Sequence, residues 1–340
     1  MDYYNIRKIW NPDWFQGNRR HKVYFEGWYF KLVNADKTVV YAVIPGISIG
    51  EKPELAYSFI QVINGISGET RFLKYEFDDF SFSRNSFEIS ISNNIFSNSG
   101  LKLNLTESGF GINGEISFRE NVPYPVRLLS PGVMGWYRFV PTMECYHGIV
   151  SMLHDLQGEL IIADKKVDFS GGKGYIEKDW GKSMPLAWIW MQSNHFIRKN
   201  LSFSFSVANI PWKKSAFTGF LIILSEGERF YRFTTYTGSR ITRLSHEGEQ
   251  IEIEIQNRHY HLFVCASGAT TGNLKAPIHG EMSRTIKESI GAVIKLRLED
   301  RKGNVILEDS GDPAGLEIAG DIGILQSDLI KNKSLREAGS

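Results

Sequence analysis

Glu177 and Asp179 stand two residues apart in GYIEKDWGKSMPLAWIWMQSNHF, residues 174–196, with Trp180, Trp188 and Trp190 close by. A carboxyl group set against aromatic and apolar surface is poorly solvated when charged. Its pKa rises, and it keeps a proton to donate near neutral pH. Two upstream segments repeat the combination: VYFEGWYFKLV holds Glu26 and Trp28, and PTMECYHGIVSM holds Glu144, Tyr146 and His147. Histidine is the side chain best suited to taking up a proton near pH 7. If these segments are extended, residues two apart share a face. Tyr175, Glu177 and Asp179 then oppose Lys178 and Trp180; Tyr24, Glu26, Trp28 and Phe30 oppose Phe25, Tyr29 and Lys31; Glu144 and Tyr146 oppose His147. Trp188, Trp190, Gln192 and Asn194 form a face that grades from rings to amides, opposite Ile189, Met191, Ser193 and His195. That gradation suits a pocket holding an apolar ligand by its body and hydrogen-bonding its polar end. The plainer alternative is that the acids are solvated, or paired with Arg and Lys at the ends of barrels.

The elements that must carry these residues follow from a period of two. RFLKYEFDDF, SFEISISNN, GLKLNL, GINGEISF, LSFSFSVANI, RFYRFTTYT and EIEIQNRHYHLFV alternate apolar with polar residues between Gly, Asn and Ser, the pattern of half-buried antiparallel strands. SRTIKESIGAVIKLRLED is ambiguous between helix and strand, and SDLIKNKSLREAGS reads as a frayed terminal helix or as disorder. So many short strands need sheet closure or sheet-on-sheet packing, which predicts an all-β protein of two antiparallel barrel or sandwich domains. Lys182 to Pro185 interrupts two strand-like runs, so the expected domains are residues 1–181 and 182–328, with a tail at 329–340.

Three other motifs are set aside on physical grounds. Gly46-Ile-Ser48-Ile-Gly50 has the form of a nucleophile elbow, but that device needs a following helix, and here EKPEL and a strand-like AYSFIQVI follow. His259 and His261 share a strand face with no third ligand near them in sequence, so a surface or cross-strand pair is expected and no metal. The glycines of FSGGKGYIEK open no helix and read as a turn and strand entry.

Lys and Arg number 39 against 38 Asp and Glu, a formal charge of +1 that provides no basic field for nucleic acid. The two cysteines, Cys145 and Cys265, are too few for a disulfide scaffold, though one bridge remains open. The opening MDYYNIRKIW has no apolar signal region, and no run of ~18 uncharged apolar residues occurs. The expectation is a soluble cytoplasmic protein, with peripheral membrane contact left open.

FEGWYFKL, GWYRFVPTMECYHGIVSM, GYIEKDWGKSMPLAWIWMQSNHF, APIHGEM and GLEIAGD, taken in that order from about Phe25 to Asp321, resemble the tocopherol cyclase family. The resemblance implies a pair of lipocalin-like β-barrel domains and a cofactor-free ring closure that turns a prenylated hydroquinone into a chromanol. The plant pattern reads Glu-Lys-Asn-Trp-Gly; Asp179 here takes the Asn place. The absence of a plastid transit segment points to a bacterial member acting on another lipid.

Ring closure needs a proton delivered to a trisubstituted alkene, a cavity that tolerates a tertiary cation, and a phenolic oxygen held against it. Glu177 is the expected donor, with Asp179, His147 and Tyr146 completing the catalytic set. Trp28, Trp188 and Trp190 are the expected cation-stabilising rings, and Glu26, Glu144, Tyr175, Trp180, Gln192 and Asn194 complete the substrate surface. Gln192 and Asn194, with Tyr146 or His147, would orient the quinol oxygens. Two alternatives use the same cavity: a carrier that binds a prenyl lipid without turnover, and an isoprenoid hydratase or isomerase.

Overall fold

A computed structural model describes residues 3–17, 22–107, 109–141, 143–248, 250–268, 270–327 and 329. The alternating segments are strands, and they pair antiparallel throughout the central strands of both sheets. Among the described residues they form a 12-stranded and a 10-stranded sheet. Chain contacts divide the molecule into one unit of Met1–Met184 with Asn273–Thr285 and a second of Pro185–Gly272 with Ile286–Ser340.

In the first unit the central strands run Val40–Ile49, Tyr24–Val33, Lys173–Gly181, Cys145–Ile162, Phe110–Arg119, so a late strand is inserted between the first strand and the middle of the chain. One apolar cluster draws on nearly every strand of this sheet, with Trp28, Phe30, Ile60, Phe96, Ile116 and Ile176 buried in it, so the sheet curls around its own core. Each fully buried Phe or Leu contributes about 1.5–3 kcal/mol. The segment 273–285 is tied to this unit by Gln61, whose amide donates to the Lys275 carbonyl at 2.9 Å and accepts from the Lys275 N–H at 2.7 Å. Gly280 closes that connection at φ 81°, where a Cβ would meet the Ile49 carbonyl oxygen at 1.9 Å, so only glycine fits.

The second unit orders Ser215–Glu226, Leu201–Trp212, Trp188–Ser193, Val305–Ala319, Glu281–Asp300 and Tyr260–Ser267 around a core of Ile189, Met191, Phe203, Phe205, Ile253 and Leu296. The ambiguous SRTIKESIGAVIKLRLED lies in one strand, Glu281–Asp300, with irregular register between Ser289 and Ile294. EIEIQNRHYHLFV is two strands, Gln250–Gln256 and Tyr260–Ser267, because Asn257 accepts from the N–H groups of His259 and Tyr260 and turns the chain. His259 therefore lies in a turn against Arg258, off the strand face expected for it, while His261 is 3.9 Å from Glu254. Residues 322–327 are helical, with Ile322 and Leu325 in the core; of the expected tail only Leu329 is described. Both cysteines are free.

Ser48 lies inside the strand Val40–Ile49, and its hydroxyl donates to the Gly280 carbonyl at 2.7 Å, a structural bond. Gly171 (φ 78°) and Gly172 form the turn that enters Lys173–Gly181. No helix among the described residues is long and apolar enough to cross a membrane.

Candidate active site

The strand Lys173–Gly181 lies between Tyr24–Val33 and Cys145–Ile162, and its two faces have different chemistry. On the core face, Lys178 pairs with Glu26 and also donates to the Trp14 carbonyl at 2.7 Å, and both side chains are fully buried. Glu26 further accepts from the Gln16 N–H at 2.9 Å, the Gly17 N–H at 3.0 Å and the Tyr24 hydroxyl at 2.5 Å. Lys178 lies 4.4 Å from the Trp28 ring centre and 4.9 Å from that of Trp180. Burial pulls its pKa down to about 8, although Glu26 favours its charge. Trp28 stacks on Phe80 and Phe87, and Trp180 stacks on Tyr146 at 5.5 Å with Arg138 beyond it. Glu26, Trp28, Trp180 and Tyr146 therefore belong to the packed interior of the first unit. The cation their rings meet is the protein's own lysine. Arg138 and Gln16, which bond to each other, complete this network. They lie far from Glu26 in sequence or outside its alternating run, which is why spacing alone does not reveal them.

The opposite face carries the acid–base group. Register aligns Asp179 with His147 and Gly27, Glu177 with Ile149 and Tyr29, and Tyr175 with Lys31. His147 Nδ1 is 2.9 Å from Asp179 Oδ1, and its Nε2 is 3.6 Å from Glu177 Oε2 without forming a hydrogen bond. The buried Tyr175 hydroxyl donates to Glu177 Oε2 at 2.5 Å. Burial alone would depress His147, but Asp179 and Glu177 outweigh it and raise its pKa to about 9. The imidazole is therefore protonated at neutral pH, between two carboxylates. Their donor atoms lie within 4.8 Å of one another. Asp179 approaches one nitrogen of the ring and Glu177 the other. Asp179 is the more accessible end, its side chain 28% exposed against 5% for Glu177. Cys145, 4.0 Å from Asp179, has its thiol pKa pushed well up by burial, which suppresses thiolate chemistry. Glu144 is half-buried at the entrance to this strand; burial raises its carboxyl, opposed by His279 and Lys182.

Lys31 and Tyr29 are the members of this row that the motif reading left unassigned, although their alternation with Trp28 already put them on this face. A second histidine on Cys145–Ile162 behaves oppositely. His154 is fully buried beside Phe118, bonded to Ser151 at 2.9 Å, and burial lowers its pKa to about 3. It is a neutral core group.

Trp188, Trp190 and Gln192 belong to the second unit and face away from its core residues Ile189 and Met191, as alternation requires. Asn194 lies just past the strand end and is buried. The Trp188 indole donates to Glu317 at 2.7 Å, and Trp190 lies against Gly315, where a Cβ would come within 2.5 Å of its ring. Glu317 and Glu288 oppose each other in register, Glu288 fully buried. The signal for Glu288 was present: it takes an inward place between Ile286 and Ile290. A groove of about 490 Å³ elsewhere in this unit, lined by Glu252, Phe263, Lys295 and Asp309, contains none of the expected site residues.

Antiparallel sheets around apolar interiors and a buried acid–imidazole–acid row define a lipocalin-like two-domain β protein. Solved structures share this fold: kievitone hydratase from Nectria haematococca (11% identical, TM-score 0.50, 87% of this chain and 89% of that one), CghA with Sch210972 (8%, 0.52, 88% and 89%), and a Nitrosomonas europaea protein described as a candidate AttH (8%, 0.53, 89% and 94%). At those identities the likeness concerns the fold alone.

The profile of the tocopherol cyclase-like family matches residues 125–320, more than half of the chain, and the chain belongs to that family. Curated relatives include "Probable tocopherol cyclase, chloroplastic" of Oryza sativa subsp. japonica, 24% identical over 198 residues. "Tocopherol cyclase, chloroplastic" of Zea mays is 25% identical over 206 residues. The matches cover 55% of this chain and 42% and 41% of those proteins, so the chain spans about two fifths of their length.

Proposed function

We propose that the chain catalyses acid-initiated addition across an isoprenoid double bond, a cyclase- or hydratase-type reaction, and that it closes a prenylated hydroquinone to a chromanol. The observation that carries this reading is the row Tyr175–Glu177–His147–Asp179, an imidazolium held between two carboxylates on a buried sheet face. His147 passes its Nε2 proton to Glu177 as side-chain rotation closes their 3.6 Å gap, leaving a carboxylic acid beside a neutral imidazole. The Glu177 O–H bond then breaks as a C–H bond forms at the less substituted alkene carbon. The tertiary carbon takes the positive charge, the phenolic oxygen bonds to it, and the phenolic proton returns to the Glu177 carboxylate. No proton or redox equivalent is consumed. Asp179 holds the Nδ1 proton and so keeps Nε2 directed at Glu177; Tyr175 bonds one carboxyl oxygen of Glu177 and limits its rotation. Water in place of the phenol would give a tertiary alcohol, and the tocopherol cyclase relatives favour the phenol.

Glu144 at the strand entrance and the Trp188, Trp190, Gln192 and Asn194 face of the second unit are proposed ligand-contacting surfaces. The test is incubation with a prenylated methylhydroquinone in D2O, followed by mass spectrometry and NMR. The expected product is a chromanol carrying one deuterium on the carbon next to the new C–O carbon. A deuterated tertiary alcohol would reassign the enzyme as a hydratase, tight binding without turnover would identify a carrier, and no binding would overturn the reading.

A further inference from the structure

Tips of tight turns are normally built from Gly, Pro, Asn, Asp and Ser, yet the turn at 127–130 presents two leucines. Arg127 and Ser130 exchange backbone hydrogen bonds at 3.1 Å in both directions, and Leu128 and Leu129 at the apex are 74% and 79% exposed. The tip is braced, since the Trp10 indole donates to the Leu128 carbonyl at 3.0 Å. Trp10 also meets the Phe139 ring edge-on at 6.3 Å, and Phe139 ends a 3₁₀ turn, Gly135–Phe139. Three residues per turn put Trp136 and Phe139 on one side of it, and they are 48% and 44% exposed. Leu128, Leu129, Phe139 and Trp136 thus form an exposed apolar surface on a backbone fixed by hydrogen bonds. Arg127 beside the tip is exposed, whereas Lys8 and Arg138 are half-buried and bonded to Gln16.

We infer that this surface docks the protein on an anionic lipid bilayer, with Leu128 and Leu129 entering the acyl boundary, Trp136 and Phe139 at headgroup depth, and Arg127 meeting lipid charge. Rings and aliphatic tips flanked by cations are the composition that partitions to such interfaces. Charge argues against a second copy of the chain as the occupant, because a two-fold contact would bring the exposed Arg127 against its own copy. The inference is independent of the reaction at Glu177, since docking needs no substrate.

The experiment is flotation of the full chain with phosphatidylcholine vesicles, with and without phosphatidylglycerol. The parent should bind and should prefer the anionic vesicles. Leu128→Glu with Leu129→Glu should weaken binding at least tenfold at an unchanged unfolding temperature, and Leu128→Ser with Leu129→Ser provides the same test without added charge. Arg127→Gln should lose about three- to fivefold on anionic vesicles alone, the worth of one cation near such a surface. Absence of vesicle binding, or equal binding by both double variants, would overturn the inference. So would a dimer seen by light scattering that the double variants dissolve.

Discussion

The two faces of the strand Lys173–Gly181 each hold an acid–base group, and they differ in what their partners leave unsatisfied. On the core face, Lys178 and Glu26 are fully buried, Glu26 accepts from three groups besides the lysine, and the lysine also donates to the Trp14 carbonyl. On the other face, one residue away on either side, His147 is protonated, its Nε2 makes no hydrogen bond, and Asp179 reaches solvent. A pair whose capacity is filled contributes geometry, because moving its proton would leave a charge buried alone. A protonated imidazole with an unused N–H beside an acid is placed to pass that proton on. Acids surrounded by rings are therefore not equivalent. Glu26 has the richer aromatic surroundings and a structural role, while Glu177 has the neighbour that can recharge it.

The largest effect should come from breaking the sealed side. Lys178→Met leaves Glu26 charged in the core and should cost about 3–5 kcal/mol in denaturant unfolding, most of it recovered on adding Glu26→Gln. If the single variant unfolds at the parent's midpoint, the pair is not structural in this sense. On the other face, Glu177→Gln should lower turnover by ~100-fold or more while leaving ligand affinity within about threefold and stability within ~1 kcal/mol. Near-normal turnover would remove Glu177 from the mechanism and erase the contrast between the faces.

The two histidines of Cys145–Ile162 sharpen the comparison through pH. The pKa of His147 is about 9 in the fold against an ordinary 6.5, so its contribution to stability is complete below about pH 6.5 and lost as pH rises through 9. His154 has the opposite sign: at about 3 in the fold, it contributes above pH 6.5 and its contribution is lost as pH falls towards 3. Each limb should be worth roughly 1–3 kcal/mol. Thermal unfolding from pH 4 to pH 10 should show a maximum near pH 6–7, and His147→Gln should flatten the alkaline limb only. The smallest effect is expected from Asp179→Asn, which keeps an acceptor for Nδ1–H but removes one of the two charges holding the imidazolium. Turnover should fall less than ~10-fold, and the alkaline limb of the rate profile should move to lower pH. An unmoved limb would mean that His147 does not recharge the donor.

Much of the fold was legible because a half-buried strand records its two environments residue by residue. RFLKYEFDDF, GINGEISF and LSFSFSVANI each lie largely within a strand, and Ile189 and Met191 turn to the core as their alternation with Trp188 and Trp190 demands. Legibility failed where a side chain bent the backbone, as Asn257 does within EIEIQNRHYHLFV. It failed again where a segment is held by distant residues, as Gln61 and Ser48 hold 273–285 in the first unit. In the candidate site, spacing put Glu177 with Asp179 and Tyr175, and set His147 apart from Tyr146. It did not separate Glu26 and Trp28, which lie in the core, from Glu177.

What the sequence by itself determined is the side of each strand on which a residue lies, since Cβ direction alternates with a period of two whatever the strand's neighbours. Only the tertiary structure decided which sides are brought together. Placing Lys173–Gly181 between Tyr24–Val33 and Cys145–Ile162 gives Glu26 a lysine 152 positions away in the chain and Glu177 a histidine from the neighbouring strand. The charge state of a buried acid depends on those neighbours within a few ångströms, and strand order, not local spacing, supplies them.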